Sequence, residues 1–136
     1  MSESLLRILV VEDEFLVAAM IEDTLLDAGH TVVGVEDDFD GAVKKAADER
    51  PDFVLLDMQL LGAKSGIDVA RELKQLGIPC LFTTGNCAAG RGEKLAVGCL
   101  HKPYTPNDLL AAVRAARRIA VGMPPGPLPR TMHPLC

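Results

Sequence analysis

No stretch of this chain approaches the roughly 20 consecutive apolar residues that a membrane-spanning helix requires. The N-terminus, "MSESLLR", also lacks the basic start and long apolar core of a secretory signal. A membrane association is therefore not expected, and a cytoplasmic location is. Cysteine is sparse: Cys80, Cys87, Cys99 and Cys136 form no CxxC pair and match no zinc spacing. Reduced thiols, packed or idle, are the expectation. Basic charge is also lacking, with 14 Lys and Arg against 19 Asp and Glu and a net charge of −5. That balance argues against nucleic acid, because phosphate binding needs concentrated Lys and Arg.

What remains is a core-rich chain of 136 residues, 49% hydrophobic and 24% charged, enough for one domain with a single core. Short apolar runs alternate with helix-like stretches. The runs are "LLRILVV" (5–11), "TVVGV" (31–35), "DFVLLD" (52–57), "CLFTT" (80–84) and "AVGCLH" (96–101). Those at 5–11 and 52–57 are nearly continuous in apolar residues, as strands buried on both faces of a parallel sheet are. In the first helical stretch Leu16, Met20 and Leu25 or Leu26 lie near helical spacing, with Gly29 as a stop. Ile67, Ala70, Leu73 and Leu76 repeat the pattern before Gly77, and a last helix begins at Thr105 or Asn107 with Pro106 in its first turn. Strand and helix alternating in this way predict an α/β fold with a parallel sheet and right-handed crossovers.

Two segments depart from the pattern. "GNCAAGRGEKLAVG" (85–98) stands where a fourth helix belongs but carries Gly85, Gly90, Gly92 and Gly98, so that helix is expected to be short or irregular. The stretch 122–136 holds five of the nine prolines. It is expected to be a flexible tail after a domain covering 1–121. A Pro-rich docking peptide is the less favoured alternative.

Ligands of open parallel α/β sheets bind at the carboxyl ends of the strands. This chain puts Glu12 and Asp13 after the first run, Asp57 at the end of the third, Thr83, Thr84 and Gly85 after the fourth, and Lys102 with Pro103 after the fifth. Any one of these has a bland reading. An acid after a strand is often a helix cap or a first-turn charge, which suffices for Glu14. Together they place three carboxylates, a hydroxyl and an ammonium on one edge. Clustered carboxylates repel, and a divalent cation relieves them. Mg²⁺ typically takes one or two carboxylates plus phosphate oxygens. A carboxylate can itself be the nucleophile that accepts a phosphoryl group, and phosphoryl transfer needs mainly positioning and charge neutralisation.

The order Glu12-Asp13, Asp57, Thr84-Gly85 and Lys102-Pro103 on five βα units resembles the receiver domain of two-component response regulators over roughly residues 5 to 121. "PCLFTTGN" further resembles the Pro-Phe-x-Phe-Ala-Thr-Gly signature of a single-domain receiver subgroup. The resemblance implies a flavodoxin-like (βα)5 doubly wound sheet with strand order 2-1-3-4-5. It implies that Asp57 accepts a phosphoryl group from a histidine kinase or histidine phosphotransfer protein, with Mg²⁺ bound by Glu12, Asp13, Asp57 and the backbone carbonyl of Gln59. Lys102 would pair with the phosphoryl oxygens, Thr84 would turn its hydroxyl onto them, and the Lys102–Pro103 peptide would be cis. The protein would be a signalling switch rather than an enzyme, acting on a downstream protein.

This sequence departs from the family at Cys99, where a switch aromatic is usual, and at Leu61, where a proline is often found. The usual coupling of threonine to aromatic is then not the readout, and ordering of 85–98 on phosphorylation is expected in its place. No output domain is expected after residue 121, which makes a stand-alone receiver the first reading. A pseudo-receiver that binds partners without phosphorylation is the alternative. A phosphatase of the haloacid-dehalogenase type is disfavoured, since Gln59 stands where its general acid belongs. His101 is expected to be a strand-end residue near solvent. Cys87, with only Arg91 and Lys94 nearby in sequence, is a weak candidate for redox tuning. Gln59 and Asn86 flank the site as residues that would tune hydrolysis.

Overall fold

The computed structural model describes residues 5–60, 62, 64–85 and 95–134. In chain order the elements are β1 (Arg7–Val11), α1 (Phe15–Asp27), β2 (Thr31–Glu36), α2 (Phe39–Glu49), β3 (Phe53–Asp57), α3 (Gly66–Leu76), β4 (Cys80–Thr84), β5 (Gly98–His101), α4 (Pro106–Ala120) and β6 (Met132–Pro134). They form one six-stranded sheet of order β2-β1-β3-β4-β5-β6. β1 to β5 are parallel, and β6 runs antiparallel to β5. The expected α/β fold with order 2-1-3-4-5 is therefore present, extended by one strand.

Side chains alternate along each strand between two cores, as the pleat requires. Leu9, Val11, Val54, Leu56 and Phe82 meet α2 and α3 through Ala42, Ala46, Val69, Ala70 and Leu73. Ile8, Val10, Phe53, Leu55, Leu81 and Leu100 meet α1 and α4 through Ile21, Leu25, Leu109, Ala112, Val113 and Ala116. Both faces are covered, which is why these strands read as continuous apolar runs rather than alternating ones.

The helix ends follow their local chemistry. Ser65 and Thr105 each form a capping box with Asp68 and Asp108, and Pro106 takes the first turn of α4. Asp38 caps α2 by accepting from the Gly41 N–H at 2.8 Å. Gly77 closes α3 in the left-handed conformation, φ +74°. Leu16 does not join the core as its spacing predicted. It is 79% exposed, and α1 buries Ala18, Ile21, Thr24 and Leu25 instead. The reason is registry: α1 turns the face containing Ile21 and Leu25 to the sheet, and Leu16 lies off it.

The fourth helix expected over 85–98 concerns residues 86–94, which lie outside the described residues, so the expected last helix is α4 here. Within the stretch expected to be a flexible tail, Met132–Pro134 pair with β5 as β6, and Met132 is 3% exposed. Met132 reaches an apolar seat beside the open edge of β5. The cysteine expectation is corrected in part. Cys80 is free and buried, but Cys99 is disulfide-bonded. Spacing along the chain carries no information about which thiols meet in space.

Candidate functional site

The site stands at the carboxyl edge of the sheet. Glu12 extends β1 by one hydrogen bond, its N–H donating to the Glu36 carbonyl at 2.9 Å. Its carboxylate turns inward, 2% exposed, and accepts the Glu14 N–H at 3.1 Å. Glu14 stands at the N-cap position of α1 without a side-chain cap bond, so of the two readings, cap or charge at the helix start, the side-chain cap is not made. Asp57, the last residue of β3, is 4% exposed and accepts the Gln59 N–H at 3.0 Å. Carboxylate oxygens of Glu12, Asp13 and Asp57 all lie within 4.8 Å of one another.

Lys102 follows β5 directly. Its backbone N–H donates to the Thr84 carbonyl at 2.8 Å, and its peptide with Pro103 is cis. Its Nζ donates to Glu12 Oε1 at 3.2 Å and reaches Asp57 Oδ2 at 3.5 Å. The ammonium thus spans two of the three acids. A cavity of about 550 Å³ opens beside them, lined by Asp13, Glu14, Asp57, Gln59, Leu60, Gly85 and Lys102.

The electrostatics record the crowding. Burial, and then a hydrogen bond shared with Asp57, push the Glu12 carboxyl up to about 7, against the pull of Lys102. Burial works against the Lys102 ammonium, yet the attraction of Asp57 and Glu12 holds it above its ordinary value. Tyr104, two residues on, is raised by burial and then by the charges of Glu12 and Asp57. Crowded carboxylates are what a bound cation would relieve. Three carboxylates form an all-oxygen donor set, which fits a hard divalent cation such as Mg²⁺.

The fold brings Glu12, Asp13, Asp57, Gln59, Thr84 and Lys102 to the same edge. Thr84 ends β4, is 1% exposed and pairs in register with His101. Gln59 is exposed at the mouth of the cavity. Cys99, in place of the usual aromatic, is wholly buried in the core. Leu61, Asn86, Cys87, Arg91 and Lys94 lie outside the described residues.

Sequence reasoning missed Gly66. A Cβ there would collide with the Asp57 carbonyl and Met58, and the Gly66 N–H donates to the Met58 carbonyl at 2.9 Å. The glycine lets α3 start directly against the end of β3. Its place after the Ser65 cap was the available signal.

Residues 8–114 match the family described as response regulator receiver domain. This chain belongs to the response regulator receiver family. Among curated relatives, the phyllosphere-induced regulator PhyR of Methylorubrum extorquens is 33% identical over 115 residues, covering 81% of this chain and 43% of that protein. The phosphate regulon transcriptional regulatory protein PhoB of Escherichia coli is 35% identical, covering 82% of this chain and 52% of its own length. The chain therefore spans about half the length of these relatives. A signal receiver domain of a modulated diguanylate cyclase from Desulfovibrio desulfuricans has a similar structure, with TM-score 0.78 and 32% identity, covering 87% of this chain and 98% of that one. PhyR from Brucella abortus follows at TM-score 0.70 and 32% identity, over 87% of this chain and 47% of its own. The acid triad and Lys102 all fall within the matched receiver segment. Among the described residues no helix is long and apolar enough to cross a membrane.

Proposed function

We propose that this receiver is a Mg²⁺-dependent phosphoryl switch with Asp57 as the acceptor. The observation that carries the reading is the convergence of Glu12, Asp13 and Asp57 within 4.8 Å under the Lys102 ammonium. Glu12, Asp13, Asp57 and the backbone carbonyl of Gln59 would hold the metal. When bound, Mg²⁺ supplies charge neutralisation at the phosphoryl oxygens.

The donor is a phosphohistidine on a histidine kinase or phosphotransfer protein. An Asp57 carboxylate oxygen attacks phosphorus and the P–N bond breaks. The imidazole nitrogen leaves with the electron pair and takes up a proton. Lys102 then exchanges its carboxylate contacts for a phosphoryl oxygen, and the Thr84 hydroxyl turns toward the same group. Turnover is not the purpose; the product is a changed surface that a downstream protein reads. Phe15 and Leu16, 83% and 79% exposed at the start of α1 beside the acids, supply an apolar surface that a partner could cover.

Intact mass after incubation with Mg²⁺ and a small phosphodonor, or a phosphorylated kinase, tests the reading. One phosphoryl group is expected on the native chain and none on Asp57→Ala, with the addition lost when metal is chelated beforehand. No addition from either donor would leave a pseudo-receiver, an interaction module without phosphorylation, as the better account.

A further inference from the structure

The C-terminal segment lies beyond the residues matched to the family, which end at 114. Yet it is built into the sheet. β6 pairs Leu100 with Met132, Cys99 with His133 and Gly98 with Pro134. Met132 belongs to the core that packs α1 and α4. A Cβ on Gly98 would lie 3.0 Å from the Met132 methyl and 3.1 Å from the His133 carbonyl, so the missing side chain is what admits the methionine. At the other end of β5 the His101 N–H donates to the Thr131 carbonyl at 2.7 Å, and the next residue is Lys102.

We infer that Met132 is a positioning residue for Lys102: seated over Gly98, it clamps the free edge of the strand from which the lysine reaches the acid triad. Among the described residues β5 has β4 on one side and this segment on the other. Release of the segment frees the backbone at His101, and with it the geometry that holds Nζ between Glu12 and Asp57. Coupling between two sites is reciprocal, so filling the triad must also alter how firmly the segment docks. At the seam Thr131 Oγ1 is buried without a hydrogen-bond partner among the described residues, which counts against docking.

A direction follows from charge. In the free site the ammonium occupies the space between two acids that a cation would claim. Loosening Lys102 should therefore tighten Mg²⁺ binding, whereas a general loss of structure would weaken it. The inference rests on the proposed role of the triad, and its test keeps the two apart.

The test uses the full chain as parent, Met132→Asp, Met132→Leu and Gly98→Val, the last pushing the segment out without altering it. Amide exchange at His101 reports docking, Mg²⁺ titration followed by backbone resonances reports the site, and the ¹⁵N resonance of Lys102 Nζ reports the lysine. In Met132→Asp and Gly98→Val, faster His101 exchange, a moved Nζ resonance and Mg²⁺ binding tightened roughly 2- to 30-fold are expected, the range for side chains that couple sites. Met132→Leu should keep parental values. An unchanged Nζ resonance with the segment demonstrably released, Mg²⁺ affinity unchanged or weakened in either releasing variant, or unchanged His101 exchange in both would overturn the inference. If Met132→Asp does not fold, Gly98→Val decides. A parent chain that binds no Mg²⁺ counts against the proposed role of the triad, and the Nζ resonance then judges the positioning role alone.

Discussion

Glu12 shows how a buried acid can be costly and retained. Its carboxyl is 2% exposed and lies against Asp57, and burial raises it from 4.5 to about 7. A carboxyl that holds its proton more tightly in the folded chain favours folding most fully below pH 4.5. That contribution is lost as pH rises toward 7, because the unfolded chain then binds fewer protons than the folded one. Without divalent cation, Glu12→Gln is therefore expected to gain stability over the parent, and to gain more at pH 7.5 than at pH 5. Thermal unfolding of both chains at the two pH values checks it; an equal or reversed difference would contradict the assignment. Gly66 belongs to the same scale. Gly66→Ala would drive a methyl group into the Asp57 carbonyl. A cost of roughly 1–3 kcal/mol is expected for such overpacking, with phosphoryl uptake at Asp57 slowed beyond what the stability loss explains, as read by mass against time.

At the scale of elements, the strand ends do the positioning. β1, β3 and β4 finish level with one another, since Val11 pairs with Leu56 and Asp57 with Thr83. Glu12, Asp57 and Thr84 thus arrive at one edge without any long loop to hold them. The helices that follow were readable where capping chemistry was local: Ser65 with Asp68, Thr105 with Asp108, and Gly77 as a stop. α1 was read less well. Its spacing matched Leu16, but which stripe of a helix meets the sheet depends on the strand it crosses, and Leu16 faces solvent. β6 could not be read at all. Nothing in "RTMHP" marks a strand, and three residues pair only because β5 leaves an edge open.

For the whole molecule, the charge cluster and the fold oppose each other, and a ligand reconciles them. A species that binds only the folded chain stabilises it by mass action, about 2.7 kcal/mol at a ligand concentration about a hundredfold above its dissociation constant. Mg²⁺ is therefore expected to raise the melting temperature of the native chain, and to raise it much less when Asp13 and Asp57 are both replaced by Asn. Calorimetry with and without EDTA makes the comparison; equal Mg²⁺ responses would remove the triad as the binding site.

The sequence by itself determined the alternation of strand and helix, the burial of β1 and β3 on both faces, and the positions of the acids, Thr84 and Lys102 at strand ends. These depend on residue type and on periods of two and 3.6, which are local. Only the tertiary structure decided that Glu12 lies deep while Glu14 caps nothing, that Gly66 must be bare to let α3 meet Asp57, that Cys99 is disulfide-bonded, and that the proline-rich end docks as a strand. Each of those depends on which atoms distant in the chain become neighbours, and no local period encodes that.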